Sequence, residues 1–260
     1  MISRYSVWLN DVSLAEISPN IYVDDIGYQA ASIARNTSRL AAADGEYSGS
    51  SEYFAPNKIN VAFIVREYST QRRQEVIQNI IAWAAKGGWL KTSDRAGQKI
   101  YVKPTRLPTA TSVMRWLDAL TIEFTAFDYP FWHDENAQSI TLSQGGNGEL
   151  WVNGEHSACV EVTATAQANI TTMTFTCNGK SIALSGLSLV NGDKVKITYT
   201  DEHHIQRIFK GDSFTVSNSL LDKRTPTSVD DLMANVGNNT FGFAADGNAS
   251  CVFYVKGVHY

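Results

Sequence analysis

Cysteine is scarce: three in 260 residues, Cys159, Cys177 and Cys251, far apart in the chain. An odd, scattered set spells neither a disulfide framework nor a zinc-binding pair. Each falls in a strand-like stretch, where cysteine behaves as a small apolar residue. No apolar run approaches the ~20 residues that a membrane-spanning helix requires, so no membrane is expected as a partner. The opening MISRYSVWLND lacks the apolar core of a secretory signal. Folding in a cytoplasm is therefore expected, and the Asn-X-Ser/Thr triplets at Asn36, Asn169, Asn238 and Asn248 read as chance. A basic excess is missing too: 22 Lys and Arg stand against 26 Asp and Glu, a net charge of −4. A phosphate backbone attracts positive surfaces, so nucleic acid is not an expected partner.

Catalytic signatures are wanting as well. There is no G-x-S-x-G, no H-E-x-x-H and no phosphate-cradling glycine loop leading into a helix. Neither enzymatic activity nor a cofactor is expected. His203-His204, beside Asp201 and Glu202, is the best metal candidate. Neighbouring strand residues point to opposite faces and cannot easily share one ion, so a solvated turn is the simpler reading and no metal is expected. Asp24-Asp25 and Asp230-Asp231 offer paired carboxylates of the kind glycosidases use, but exposed neighbouring acids are usually just solvated.

What the chain does have is strand pattern, in two units. In TIEFTAFDYPFW, Thr121 to Trp132, Ile122, Phe124 and Ala126 alternate with Thr121, Glu123 and Thr125. Pro130 then ends the pairing, and HDENAQ follows with no apolar periodicity. One domain is expected over 1–134 and a second over 135–260; ~130 residues suffice for a core in each.

In the first, YSVWL and IYVDDI read as strands, and 27–56 as two strand arms around a long hairpin or belt loop. INVAFIVR is a strand with apolar residues on both faces, which suggests that both are covered. Thr70 to Ala85 is the one convincing helix. Val76, Ile77, Ile80, Ile81 and Ala84 form its stripe, Trp83 its edge, Ser69 or Thr70 its cap, and Gly87-Gly88 its end. Strands at Lys99 to Lys103 and Val113 to Trp116 complete a β-sandwich with one packed helix.

In the second, strands recur with turn signals every 8 to 12 residues, the rhythm of an all-β sandwich. Asn178-Gly179 is the clearest hairpin turn. Strands are expected also at Ser213 to Val216, Thr240 to Phe243 and Cys251 to Val255, and a helical turn at Ser228 to Met233. Trp151, Tyr199 and Tyr254 are candidate carbohydrate contacts, because sandwiches often hold sugars on exposed aromatics. Against that, Tyr199 and Trp151 sit where core residues belong.

The order strand pair, long hairpin, INVAFIV, TQRRQEVIQNIIAWAA, KIYVKP and TIEFTAFDYPFW resembles the distal tail (Dit) proteins of long-tailed bacteriophages and related prophages. Trp83, Leu90, Tyr101, Phe124, Pro130 and Trp132 stand in the places that match the family pattern. SVDDLMANVGNNTF resembles its acidic-leucine turn and G-x-N strand at Leu232, Gly237, Asn239 and Phe241. The resemblance implies a mainly β protein whose second domain is a galectin-like or carbohydrate-module-like sandwich. It implies a structural hub in the virion tail tip, assembled in the host cytoplasm. Six copies would form a ring, first domains inward, joining the tail tube and its tape-measure protein to the tail-tip fibre or receptor-binding components. The other reading is a module binding a host cell-wall glycan. The polar stretch Asp44 to Ser51 and the sparse aromatics of the second half depart from the pattern.

Overall fold

The computed structural model describes residues 3–29, 33–38, 47–108, 111–114, 116–127 and 129–260. The chain divides into two compact units, Met1–Trp132 with Tyr260, and His133–His259.

The first unit runs β1 (Val7–Leu9), β2 (Val12–Ser13), α1 (Leu14–Ile17), β3 (Ile21–Gln29), β4 (Ile33–Ser38), β5 (Tyr47–Phe54) and β6 (Asn57–Arg66). It continues with α2 (Thr70–Ala85), β7 (Gly88–Thr92), β8 (Gln98–Arg106), β9 (Thr111–Met114) and β10 (Leu117–Ala126). The strand order is β2-β1-β7-β8-β10-β6-β3, with β9 also on β10. β8 divides its pairing between two neighbours. Its residues Ile100 to Val102 pair with β7, whereas Lys103 to Arg106 pair with β10. Pro104 sits where the β8–β10 register shifts, a place where a residue without an N–H costs the ladder little. The strand therefore continues past Lys103, where it was expected to end, to Arg106.

β10 starts four residues before Thr121, because Leu117 to Leu120 pair in step with Arg66 to Phe63. On β6, Val61, Phe63 and Val65 are buried, while Ala62 and Ile64 are only half-buried, so its second face is incompletely covered. α2 has the expected bounds, and the Ser69 hydroxyl accepts the Arg72 N–H at its start. Trp83 is buried rather than at the edge, and its indole N–H donates to the Val12 carbonyl at 3.0 Å. Gly87 closes the helix with φ +59°, and a Cβ there would meet the Val102 carbonyl at 2.9 Å. α1 was not expected. It is fixed by a capping box in which Ser13 and Glu16 each accept a backbone N–H. β4 and β5 pair antiparallel as the arms of the hairpin, from Ile33↔Phe54 to Ser38↔Tyr47. The beginning of the polar stretch at Asp44 lies outside the described residues.

β11 (Trp132–Asp134) carries the chain into the second unit. There β12 (Gln138–Ser143), β13 (Asn147–Val152), β14 (Ala158–Ala166), β15 (Ile170–Cys177) and β16 (Lys180–Leu189) follow. After them come β17 (Lys194–Tyr199), β18 (Gln206–Lys210), β19 (Met233–Ala234), β20 (Gly237–Ala245), β21 (Ala249–Val255) and β22 (Val258–His259). One sheet has the order β12-β21-β14-β17-β18, with β19 on β14; the other has β13-β20-β15-β16. Their inner faces meet through aromatic rings. Phe175 and Phe243 stack at 5.7 Å within one sheet, and Phe253 of the other lies 5.2 Å from Phe241. Burying each such ring contributes about 1.5–3 kcal/mol. Asn178 and Gly179, both at positive φ, make the expected hairpin turn. Two expected elements differ. Ser213 to Val216 forms no strand: the Thr215 and Asn218 side chains fold it into a capped 3-10 turn, and the strand lies earlier, at β18. Ser228 to Met233 is not helical; Ser228 is held across to Ala183 of β16, and Met233 pairs with β14.

Candidate functional site

The three candidate carbohydrate contacts do not converge. Trp151 lies on β13, on the outer face with Glu149, and is 63% exposed. Its parity is opposite to that of buried Val152, so it is not a core residue. Tyr199 lies on β17 with the parity of buried Val195 and Ile197, in the other sheet. Tyr254 lies on β21 opposite Glu161, with the outward parity of half-buried Val252. The three therefore occupy three different faces.

Tyr199 belongs instead to an internal polar group. Its hydroxyl accepts the Gln206 amide at 3.3 Å, and that amide also donates to Asp231 at 3.2 Å. The His204 ring stacks on Tyr199 at 4.8 Å, turned inward by a positive φ of 52°. Burial pulls the His204 imidazole down to about 4, so it is neutral near pH 7. The expected solvated turn thus holds for exposed His203 only. Among the described residues no three His, Cys, Asp or Glu side chains assemble around a metal-sized position. Asp230 pairs with Arg224 at 2.6 Å, away from the Asp231–Gln206 contact, and Asp24 and Asp25 are exposed beside a register shift in β3. The Cys159 thiol is pushed up to about 12, chiefly by burial, and is a poor nucleophile.

Two features of the first unit were not read from sequence. Arg73 and Asp118 form a largely buried ion pair at 2.8 Å, with Arg73 also donating to the Glu67 carbonyl. Beside it, the Arg66 guanidinium lies 5.2 Å from the Trp116 ring and 5.9 Å from exposed Tyr68, whose ring stacks on Trp116. These residues are distant in sequence (66–68 and 116), and only the pairing of β6 with β10 brings them together.

No protein-family model and no curated relative matches the sequence. The three-dimensional comparison is different. A structure of the Dit protein of phage SPP1, described as a paradigm of the hub adsorption apparatus in phages infecting Gram-positive bacteria, superposes with a TM-score of 0.71 at 14% identity. The match covers 97% of this chain and 98% of that one. The chain has the Dit fold.

The baseplate of phage P2 in its activated conformation supplies two further likenesses. The calcium form gives a TM-score of 0.54 at 9% identity, covering 98% of each chain, and the strontium form gives 0.50 at 8%, covering 97% of each. Several of the residues that carry the sequence resemblance lie in the interior. Trp83, Leu90, Phe124 and Trp132 are core residues of the first unit. Leu232 and Phe241 are core residues of the second, and Asn239, 1% exposed, ties the turn before β20 together.

Proposed function

We propose that this chain is a structural hub of a bacteriophage tail, working in the virion at the tail tip. Six copies close into a ring through their first units, and the second units project outward. The ring joins the tail tube and tape-measure protein to the fibre or receptor-binding apparatus, and assembly takes place in the host cytoplasm. The observation that carries this reading is the breadth of the structural likeness: it spans both units of the chain and nearly all of a hub protein. A head-to-tail contact closes into a ring only when its rotation divides a full turn evenly. Light scattering of the purified chain and negative-stain images test that closure. Rings with a central channel are expected; a monomer at every concentration, alone and with a tail-tube partner, overturns the reading.

A further inference from the structure

The second unit seals its sheet edges on one side and leaves them open on the other. β18 and β16 end the two sheets together, and the segment 219–229 lies along both. Ser219 bridges to Phe209 of β18, and the Leu220 N–H donates to the Ile208 carbonyl at 2.7 Å. The same segment then crosses to β16, where the Thr225 and Val229 N–H groups donate to the Ala183 and Ser181 carbonyls at 2.9 and 3.0 Å. At the opposite side β12 and β13 end the sheets. Their inner faces touch, since a Cβ on Gly148 would meet the Ile140 Cδ1 at 2.6 Å.

The phase of the β12–β21 ladder shows which groups are left over. The Gln144 N–H donates to the Ala249 carbonyl, directly opposite by the register. Hydrogen-bonded pairs alternate along an antiparallel ladder, so Leu142 and Ile140 bond to β21, while Ser139, Thr141 and Ser143 turn their backbone groups away. On that side the Gly146 N–H takes the Ser143 carbonyl. Among the described residues nothing takes the N–H and C=O of Ser139 or Thr141, and both residues are exposed. No lysine, proline or bulge guards Gln138 to Ser143, whereas β13 carries Glu149 at its middle.

We propose that β12 is a docking edge for an extended, basic segment of a partner protein, which adds to the sheet as an antiparallel strand. Ser139 and Thr141 each exchange both backbone bonds with it, and its alternate apolar side chains cover half-buried Ile140 and Leu150 between the sheets. Charge selects the occupant. His133 to Gly179, which contains both open strands, has five acidic side chains and no Lys or Arg. Seven of the unit's eight Lys and Arg lie instead on β16, β17, β18 and the sealing segment. A segment with basic ends is drawn to the open side, and an acidic one is repelled. The second unit of another copy does not supply it, because its basic strands β17 and β18 are already paired along both edges. Only the second unit's own backbone is needed, so the docking edge is independent of the hub reading.

The test uses the whole chain, isotope-labelled, with the Ser139 and Thr141 amides followed by hydrogen exchange. The probes are a peptide of alternating threonine and valine with lysines at both ends, and the same peptide with glutamates there. The lysine-ended peptide is expected to slow exchange of the two amides at least tenfold. It should bind roughly tenfold more tightly than the glutamate-ended one, a gap that narrows in about 1 M salt. Thr141→Pro and Ser139→Pro each delete an outward N–H and leave the β21 ladder whole. Each is expected to weaken binding roughly tenfold with unchanged melting, while Thr141→Ala binds as the parent does. Binding of neither peptide, equal or tighter binding of the glutamate-ended one, protection that misses Ser139 and Thr141, or full binding by both proline variants overturns the proposal. So does protection of the two amides that grows with the chain's own concentration, which assigns the edge to a second copy. The exchange pattern of the parent chain decides even where a proline variant fails to fold. Ring formation by the first units is read separately by imaging, so neither reading falls with the other.

Discussion

Asn239 is the most exacting place to test how the second unit is held. Its Nδ2 donates to the carbonyls of Asn235 and Gly237 at 2.7 and 2.8 Å. Its Oδ1 accepts the Asn235 N–H and the Asn178 amide, both at 2.7 Å. The amide orientation is fixed, because a backbone N–H can only donate. Asn239→Ala removes four bonds at once. Each is worth about 0.5–1.5 kcal/mol net, and the partly exposed Asn235 and Gly237 regain water, so the loss should be about 3 kcal/mol. For a unit of this size that lowers its melting by roughly 10 °C. Asn239→Asp separates hydrogen bonding from shape. Above its own titration, the second carboxylate oxygen confronts two carbonyls; once protonated it can donate to one of them. The variant's folded state holds its proton more tightly than its unfolded state does, so stability should rise as pH falls from 7 towards 4. Five of the six tryptophans lie in the first unit, so fluorescence reports the wrong half. Hydrogen exchange of β15 and β20 amides during urea titration is the assay. An Asn239→Ala loss below about 0.5 kcal/mol, or an Asn239→Asp variant with no gain on acidification, would refute the reasoning.

Three further outcomes follow from the geometry. Asp118→Asn strands the Arg73 charge in a largely buried position, and should cost about 3–5 kcal/mol in the first unit by chemical denaturation, whereas replacing both partners with apolar residues should cost far less. Neutral, buried His204 stabilises the fold above its ordinary value of 6.5; that contribution, of order 3 kcal/mol, should fade as pH drops from 6.5 to about 4, and His204→Asn, which tolerates the positive φ and does not titrate, should flatten that part of the pH–stability curve. Gly87→Ala forces a Cβ against the Val102 carbonyl in the left-handed region, and should lower first-unit stability by about 1–3 kcal/mol in a melting experiment.

The elements legible in the sequence were those whose signals are local and redundant. α2 shows a 3.6-residue stripe, a serine cap and a glycine stop together, and Asn178-Gly179 sits between alternating runs. α1 is too short to show a stripe, yet its Ser13–Glu16 capping box was there to be read. β18 was missed because its five residues follow a polar turn, while SFTV alternates like a strand but is claimed by its own Thr215–Asn218 caps. The candidate site was half legible. Alternation says which residues of one strand share a face, but not which strands share a sheet, so Trp151, Tyr199 and Tyr254 looked like one platform. The ladder partners of Trp151 and Glu149 (Asn238 and Thr240) come from β20, almost ninety residues on, and no local signal joins them.

The double allegiance of β8 has a mechanical consequence. Since its front half is stitched to β7 and its back half to β10, neither neighbour can slide along β8 without shearing hydrogen bonds to a single continuous backbone. Tension entering through β7 is handed on to β10 along the covalent backbone of β8.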